Sequence, residues 1–151
     1  MSRSVSARSR IKTSRPAYVL DEQIGFILRQ VWQRHAAIFA REIGTDLTPT
    51  QWAALSKLNE TAPCSQNQLG RLTAMDVATI KGVIDRLTAR GLTETSPDPE
   101  DGRRLLVSLT RAGQQLAEKA IHNALAITRE TLAPLDPTER ETLLALLRKM
   151  R

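Results

Sequence analysis

The sequence is short of the residues from which small proteins build cross-links and metal centres. One cysteine and two histidines in 151 residues exclude an internal disulfide and leave too few ligands for a structural zinc site. No apolar run approaches the ~20 residues that a membrane-spanning helix needs, and the opening MSRSVSARSRIKTSR lacks the apolar core of a secretory signal. These absences predict a cytoplasmic protein with no metal site and no cofactor. Gly-rich phosphate loops and nucleophile motifs are also missing. His35 and His122 fall on separate predicted helices without a Ser or Cys partner, so no catalytic residue is assigned.

What the chain does have is positive charge, unevenly placed. Its 22 Lys and Arg against 16 Asp and Glu give a net charge of +6. Arg3, Arg8, Arg10, Lys12 and Arg15 supply +5 of this within residues 1–16, which hold no acid, so 17 bases face 16 acids in the remainder. Residues 1–16 read as a flexible basic arm that can add phosphate contacts regardless of sequence. Residues 17–151 read as a single, nearly neutral domain. The aromatics Tyr18, Phe26, Trp32, Phe39 and Trp52 all lie in the first third of the chain. A module that stacks single-stranded bases needs them interleaved with its cations.

The periodicity predicts a mainly helical protein. Leu20, Ile24, Ile27, Leu28, Val31, Ile38 and Phe39 mark an amphipathic first helix to about Ile43. Thr48-Pro49-Thr50-Gln51 starts a second helix with a capping box. After the break at Ala62-Pro63-Cys64, Ser65 and Gln68 repeat the capping-box signal and open a short third helix expected to bury Leu69 and Leu72. Thr73-Ala74-Met75 makes a tight turn, and Asp76 caps a fourth helix with Ile80, Val83, Ile84 and Leu87 inward. Gly91 suits a left-handed C-terminal cap. Leu92–Ser96 and Arg104–Leu109 then read as two strands of a β-hairpin, with Leu105, Val107 and Leu109 inward and a polar tip from Pro97 to Arg103. A fifth helix follows Thr110 to about Ala133, and a sixth starts at Asp136-Pro137-Thr138-Glu139.

A short bracing helix, a tight turn, a second helix and a basic-tipped hairpin make a winged helix-turn-helix. In that arrangement the exposed N-terminal residues of the second helix enter the major groove, and the hairpin tip reaches the backbone or minor groove. The segment DVATIKGVIDRLTARGLTETSPDPEDGRRLLVSLTRAG, residues 76–113, resembles the recognition helix and wing of the MarR family of bacterial transcription regulators. The matching residues are Asp85-Arg86-Leu87, Gly91-Leu92, Asp98 through Arg104, and Leu109-Thr110 with Gly113; the likeness extends over about 21–151. It implies a homodimer with dimerisation helices at 17–46 and 111–151 around a DNA-binding region at 47–110, acting on double-stranded operator DNA as a repressor. The ~24-residue fifth helix, ~36 Å long, carries more apolar surface than one small head can cover. A two-fold dimer would place its recognition helices about one DNA turn apart, over an imperfect palindrome.

The resemblance picks out Asp101 and Arg103 in the wing, the acid orienting an Arg for the minor groove. The plainer alternative is a pair that only steadies the turn. Arg104 is assigned to phosphate. Arg86 has two readings: a phosphate contact, or a clamp on Asp85 or Asp101. Val77 and Gly82 stand where relatives often carry Arg or a polar residue, which leaves Thr79 and Lys81 as base readers and Ala78 against a thymine methyl. Ser65, Gln66, Asn67 and Gln68 are candidate phosphate contacts, although capping alone would account for Ser65 and Gln68.

Many family members release DNA on binding a small aromatic or phenolic acid. Trp32, His35 and Phe39 share a helical face and with Trp52 can line such a site, His35, Arg29 or Arg34 holding the carboxylate; packing into a core is the alternative use of these aromatics. LDEQIGFILRQVWQRHAAIFARE is similar to the subgroup controlling aromatic-acid, nicotinate-type catabolism. Two other functions are weighed: a redox-responsive regulator acting through Cys64, and a helical dimeric interaction module with little DNA affinity.

Overall fold

The structure, a computed structural model, describes residues 17–151, so the arm expected over residues 1–16 lies outside the described residues. A single 3-10 turn at Leu20–Glu22 precedes α1 (Ile24–Glu42). The predicted first helix therefore starts later than Leu20, because Gln23 is extended and its side-chain amide donates to the Val19 carbonyl at 2.8 Å. Next come α2 (Pro49–Thr61), β1 (Cys64–Ser65), α3 (Gln66–Leu72), α4 (Val77–Ala89), β2 (Thr93–Pro97), β3 (Leu105–Leu109), α5 (Arg111–Thr131) and α6 (Pro137–Lys149). No helix among the described residues is long and apolar enough to cross a membrane.

The capping signals act as the sequence predicts, except that the box expected of Ser65 and Gln68 forms only in its Ser65 half. Thr48 and Gln51 form a reciprocal capping box on α2, and Asp136 and Glu139 form another on α6, each followed by Pro in the first turn. Ser65, Asp76 and Thr110 accept the backbone N–H groups of Gln68, Thr79 and Gly113. Gly91 has φ +70, the left-handed value expected past a helix end.

The sheet holds a strand with no sequence signature. Cys64 and Ser65 pair antiparallel with Val107 and Leu106, so β3 lies centrally in the order β1-β3-β2. Two residues are too few to show alternation, and the pairing depends on bringing residues 64 and 107 together. Two burial expectations fail. Leu72, the last residue of the short α3, is 44% exposed, and Leu105 is 55% exposed because it pairs with Pro97 at the outer end of the hairpin.

Burial is divided between two cores. One lies inside the head and includes Leu55, Leu58, Leu69, Ile80, Leu87 and Val107. The other joins α1 to α5 through Ile38, Phe39, Ile43, Ala120 and Ile127. The half-buried Trp52 packs against both. No residue of α6 is buried, and Leu143, Leu144, Leu146, Leu147 and Met150 lie open, as do Ile24, Ile27, Leu28 and Val31 on α1 and Ile121 and Leu125 on α5.

Candidate nucleic-acid interface and effector cavity

α3 and α4 are held close at Gly70. A Cβ there would lie 3.2 Å from both the Ile80 Cγ2 atom and the Met75 carbonyl oxygen. Ala74 completes the turn at φ 54, a left-handed conformation that an L side chain adopts only against steric resistance. This geometry leaves the start of α4 uncovered: Val77, Ala78, Thr79 and Lys81 are all exposed. Asn67 is exposed and shares a surface hollow with Arg71, Asp76 and Val77. Gln66 is half-buried in the groove between α4 and the wing. Ser65, also half-buried, gives its hydroxyl oxygen to the Gln68 N–H at 3.2 Å.

The charged side chains arrange themselves differently from expectation. Lys81 Nζ lies 2.6 Å from Asp85 Oδ2, an exposed pair one helical turn apart. Asp85 therefore does not serve Arg86, and Asp101 does not either: no carboxylate among the described residues lies within ion-pair distance of Arg86. The Arg86 guanidinium instead lies beside Gly82, where an added Cβ would meet its terminal nitrogen at 3.7 Å.

In the wing, Asp101 does not hold the Arg103 guanidinium. Its Oδ1 accepts the Arg103 backbone N–H at 3.1 Å, so the acid sets the turn and Arg103 remains exposed. The ion pair that forms joins Arg104 to Asp98, a residue for which the sequence suggests only a turn. Asp98 is 6% exposed. The Glu100 backbone N–H, followed by the Arg104 guanidinium, holds its carboxyl below the usual carboxylate range.

Behind the head, Trp32, His35, Phe39 and Trp52 converge on a cavity of about 210 Å³, completed by Pro49, Ala124, Ile127 and Thr128. All four sequence-nominated aromatics thus meet. The contributions from α5 and Pro49 carried no sequence signal, because they depend on the packing of α1, α2 and α5. The Trp32 and His35 rings are 5.5 Å apart between centroids, and His35 Nδ1 lies 2.9 Å from the Thr131 hydroxyl. Arg34 is not in the lining. Its guanidinium donates to the Thr131 and Glu130 carbonyls at 2.6 and 2.9 Å, satisfying the end of α5. Arg29 is exposed and is not in the lining either. His35 is the ionisable side chain of the lining.

Known proteins share this fold and much of this sequence. A model of the MarR family matches residues 45–104, the second helix through the wing tip. The HTH-type transcriptional repressor NicR of Pseudomonas putida is 42% identical over 134 residues, covering 88% of this chain and 85% of that protein. A crystal structure of a probable transcriptional regulator from Pseudomonas aeruginosa superposes with a TM-score of 0.86 at 62% identity, covering 88% of this chain and 100% of that one. Bordetella bronchiseptica BpsR, whose DNA binding is regulated by 6-hydroxynicotinic acid, gives a TM-score of 0.85 at 43% identity, covering 89% and 96%. These relatives are transcriptional regulators, not enzymes.

Proposed function

The chain belongs to the MarR family of transcriptional regulators, and from that premise we propose that it is a homodimeric repressor of a pseudo-palindromic operator, released by a small aromatic carboxylate. The observation that carries the reading is the position of Trp52: it forms a wall of the effector cavity and packs against both the α1–α5 core and the head core. A ligand that reorients this wall acts on the angle between the head and the long helices. Two heads must match successive major grooves, so a ligand preferring another angle shifts the population away from the DNA-bound form.

The open apolar residues of α1, α5 and α6 support the dimer. Isolated exposed leucines are ordinary, but three helices with uncovered apolar rows call for a partner, and a second copy supplies matching rows by symmetry. In DNA binding, Thr79 and Lys81 read bases with Ala78 against a thymine methyl, Arg103 enters the minor groove, and Arg86, Asn67 and Gln66 meet phosphate. The basic residues of 1–16 add contacts that strengthen binding without selecting sequence.

The cavity suits a flat ring between Trp32 and Trp52, with His35 toward the acid. The regulation of BpsR by 6-hydroxynicotinic acid makes hydroxylated pyridine carboxylates the first class to try, with benzoates as the second. The test is a gel shift on DNA upstream of the gene, repeated with 6-hydroxynicotinate, nicotinate and benzoates, with sedimentation to count chains. Specific retardation by a dimer, reversed by one of these acids, is expected; failure to bind any duplex at moderate salt rejects the proposal.

The redox reading has an observation against it. Cys64 is 2% exposed and burial pushes its thiol pKa up, whereas a sensor thiol is exposed and acidic. Cys64→Ser is expected to leave DNA release by peroxide unchanged.

A further inference from the structure

The wing places two consecutive arginines at its tip, and their surroundings differ. The turn is drawn shut by backbone bonds: Asp98 N–H donates to the Arg104 carbonyl at 2.8 Å, and Arg104 N–H donates to the Asp101 carbonyl at 2.9 Å. The Asp98 side chain sits inside this ring. Its Oδ1 accepts the Glu100 N–H at 2.9 Å, and its Oδ2 accepts the Arg104 Nε–H at 2.7 Å and a second N–H from the same guanidinium. Asp98 is the buried carboxylate of the described residues. A buried carboxylate is tolerated only when paired, so withdrawing Arg104 toward a phosphate would strand it. Arg103 is under no such tie: no carboxylate among the described residues lies within ion-pair distance of its guanidinium.

We infer that Asp98 is a positioning residue that removes Arg104 from the DNA-contacting charge and shapes the tip so that each wing presents one working cation, Arg103. This rests on the head binding duplex DNA, and it replaces the assignment of Arg104 to phosphate. Chemically, Asp98 and Arg104 are a neutral clasp. Their joint removal costs the interface no cation, whereas loss of Asp98 alone releases one.

Salt dependence of binding separates these roles from a general loss of structure. Each phosphate neutralised contributes about 0.9 to the slope of log K against log salt. Full-length wild type, Arg103→Gln, Asp98→Asn and the double variant Asp98→Asn/Arg104→Gln are titrated by fluorescence anisotropy against a mixed-sequence duplex of about 30 base pairs, from about 50 to 200 mM salt. Asparagine keeps an oxygen for the Glu100 N–H, so the turn retains its acceptor. Arg103→Gln is expected to flatten the slope by about 0.9 per wing, the double variant to leave it unchanged, and Asp98→Asn to steepen it by about 0.9 per wing. The inference is overturned if the double variant flattens the slope as Arg103→Gln does, or if Asp98→Asn leaves it unchanged. If wild type binds no duplex even at the lowest salt, the DNA-binding reading falls and this inference with it. Circular-dichroism melts of each variant identify any that is unfolded, in which case Asp98→Ser, which removes the charge and keeps a hydroxyl acceptor for the Glu100 N–H, serves as the second variant: a slope steepened by about 0.9 per wing supports the clasp, and an unchanged slope overturns it.

Discussion

The Nδ1 atom of His35 and the hydroxyl of Thr131 meet at 2.9 Å, although 96 residues separate them in the chain. This contact fixes the imidazole plane against the end of α5, one residue from the Arg34 guanidinium that satisfies the last carbonyls of the same helix. Under the proposed function, the ring nitrogen not bonded to Thr131 is the one that would meet the effector.

His35→Phe keeps an aromatic ring beside Trp32 and removes the nitrogen. Its affinity for 6-hydroxynicotinate is expected to fall about tenfold or more, the effect of losing a hydrogen bond to a charged group. Because Trp32 and Trp52 line the cavity, quenching of tryptophan fluorescence on titration reads this directly. Duplex affinity without the acid should not change.

Two glycine substitutions should separate folding from recognition. A Cβ on Gly113 would fall 1.9 Å from the Leu92 carbonyl oxygen, which is held in place by the Thr110 N–H. Gly113→Ala is expected to cost about 3 kcal/mol or more. A Cβ on Gly82 meets only the movable Arg86 side chain at 3.7 Å. Gly82→Ala should stabilise α4 by up to about 1 kcal/mol while crowding the face offered to DNA. Urea denaturation and anisotropy with duplex DNA, run side by side, check both.

Ala74 at φ 54 carries the strain of the turn between α3 and α4. Ala74→Gly should raise stability by about 1 kcal/mol, the difference between a β-carbon and none in the left-handed region, less the greater freedom of glycine in the unfolded chain. The readout is the denaturation midpoint at unchanged slope.

Stability should hold as pH falls from neutrality and then drop below about 4. The backbone N–H of Thr79 is the largest influence lowering the carboxyl pKa of Asp76, and that of Glu100 does the same for Asp98. A carboxylate whose folded pKa is depressed contributes stability above its unfolded pKa and loses it as pH falls through the folded value. Asp76→Asn keeps a capping oxygen without a titrating group, so its thermal midpoint should fall less steeply between about pH 5 and 3 than that of wild type.

Local signals carried much of the head. Thr48, Ser65, Asp76, Thr110 and Asp136 all cap the helices that their positions predict, because a cap is chosen by a side chain within three residues of the backbone it serves. The gathering of Trp32, His35, Phe39 and Trp52 was legible in part, since the first three share one helical face. Arg34, their neighbour in sequence, points away to the end of α5, and nothing in its spacing separates a ligand contact from a helix cap.

By itself the sequence determined where the helices with side-chain caps begin, where the wing turns, which face of α4 is open and that the folded part is nearly neutral. Each of these depends on neighbours along the chain, through periodicity, capping and charge. Only the tertiary structure decided that Cys64 and Ser65 form a third strand, that Trp52 belongs to both cores, and that Asp98 takes Arg104 while Asp101 sets the backbone of Arg103. Those outcomes turn on burial and distance between separated segments. In a wing with three nearby acids and two adjacent arginines, the carboxylate that the fold buries must find a partner, and Asp98 is the one that it buries.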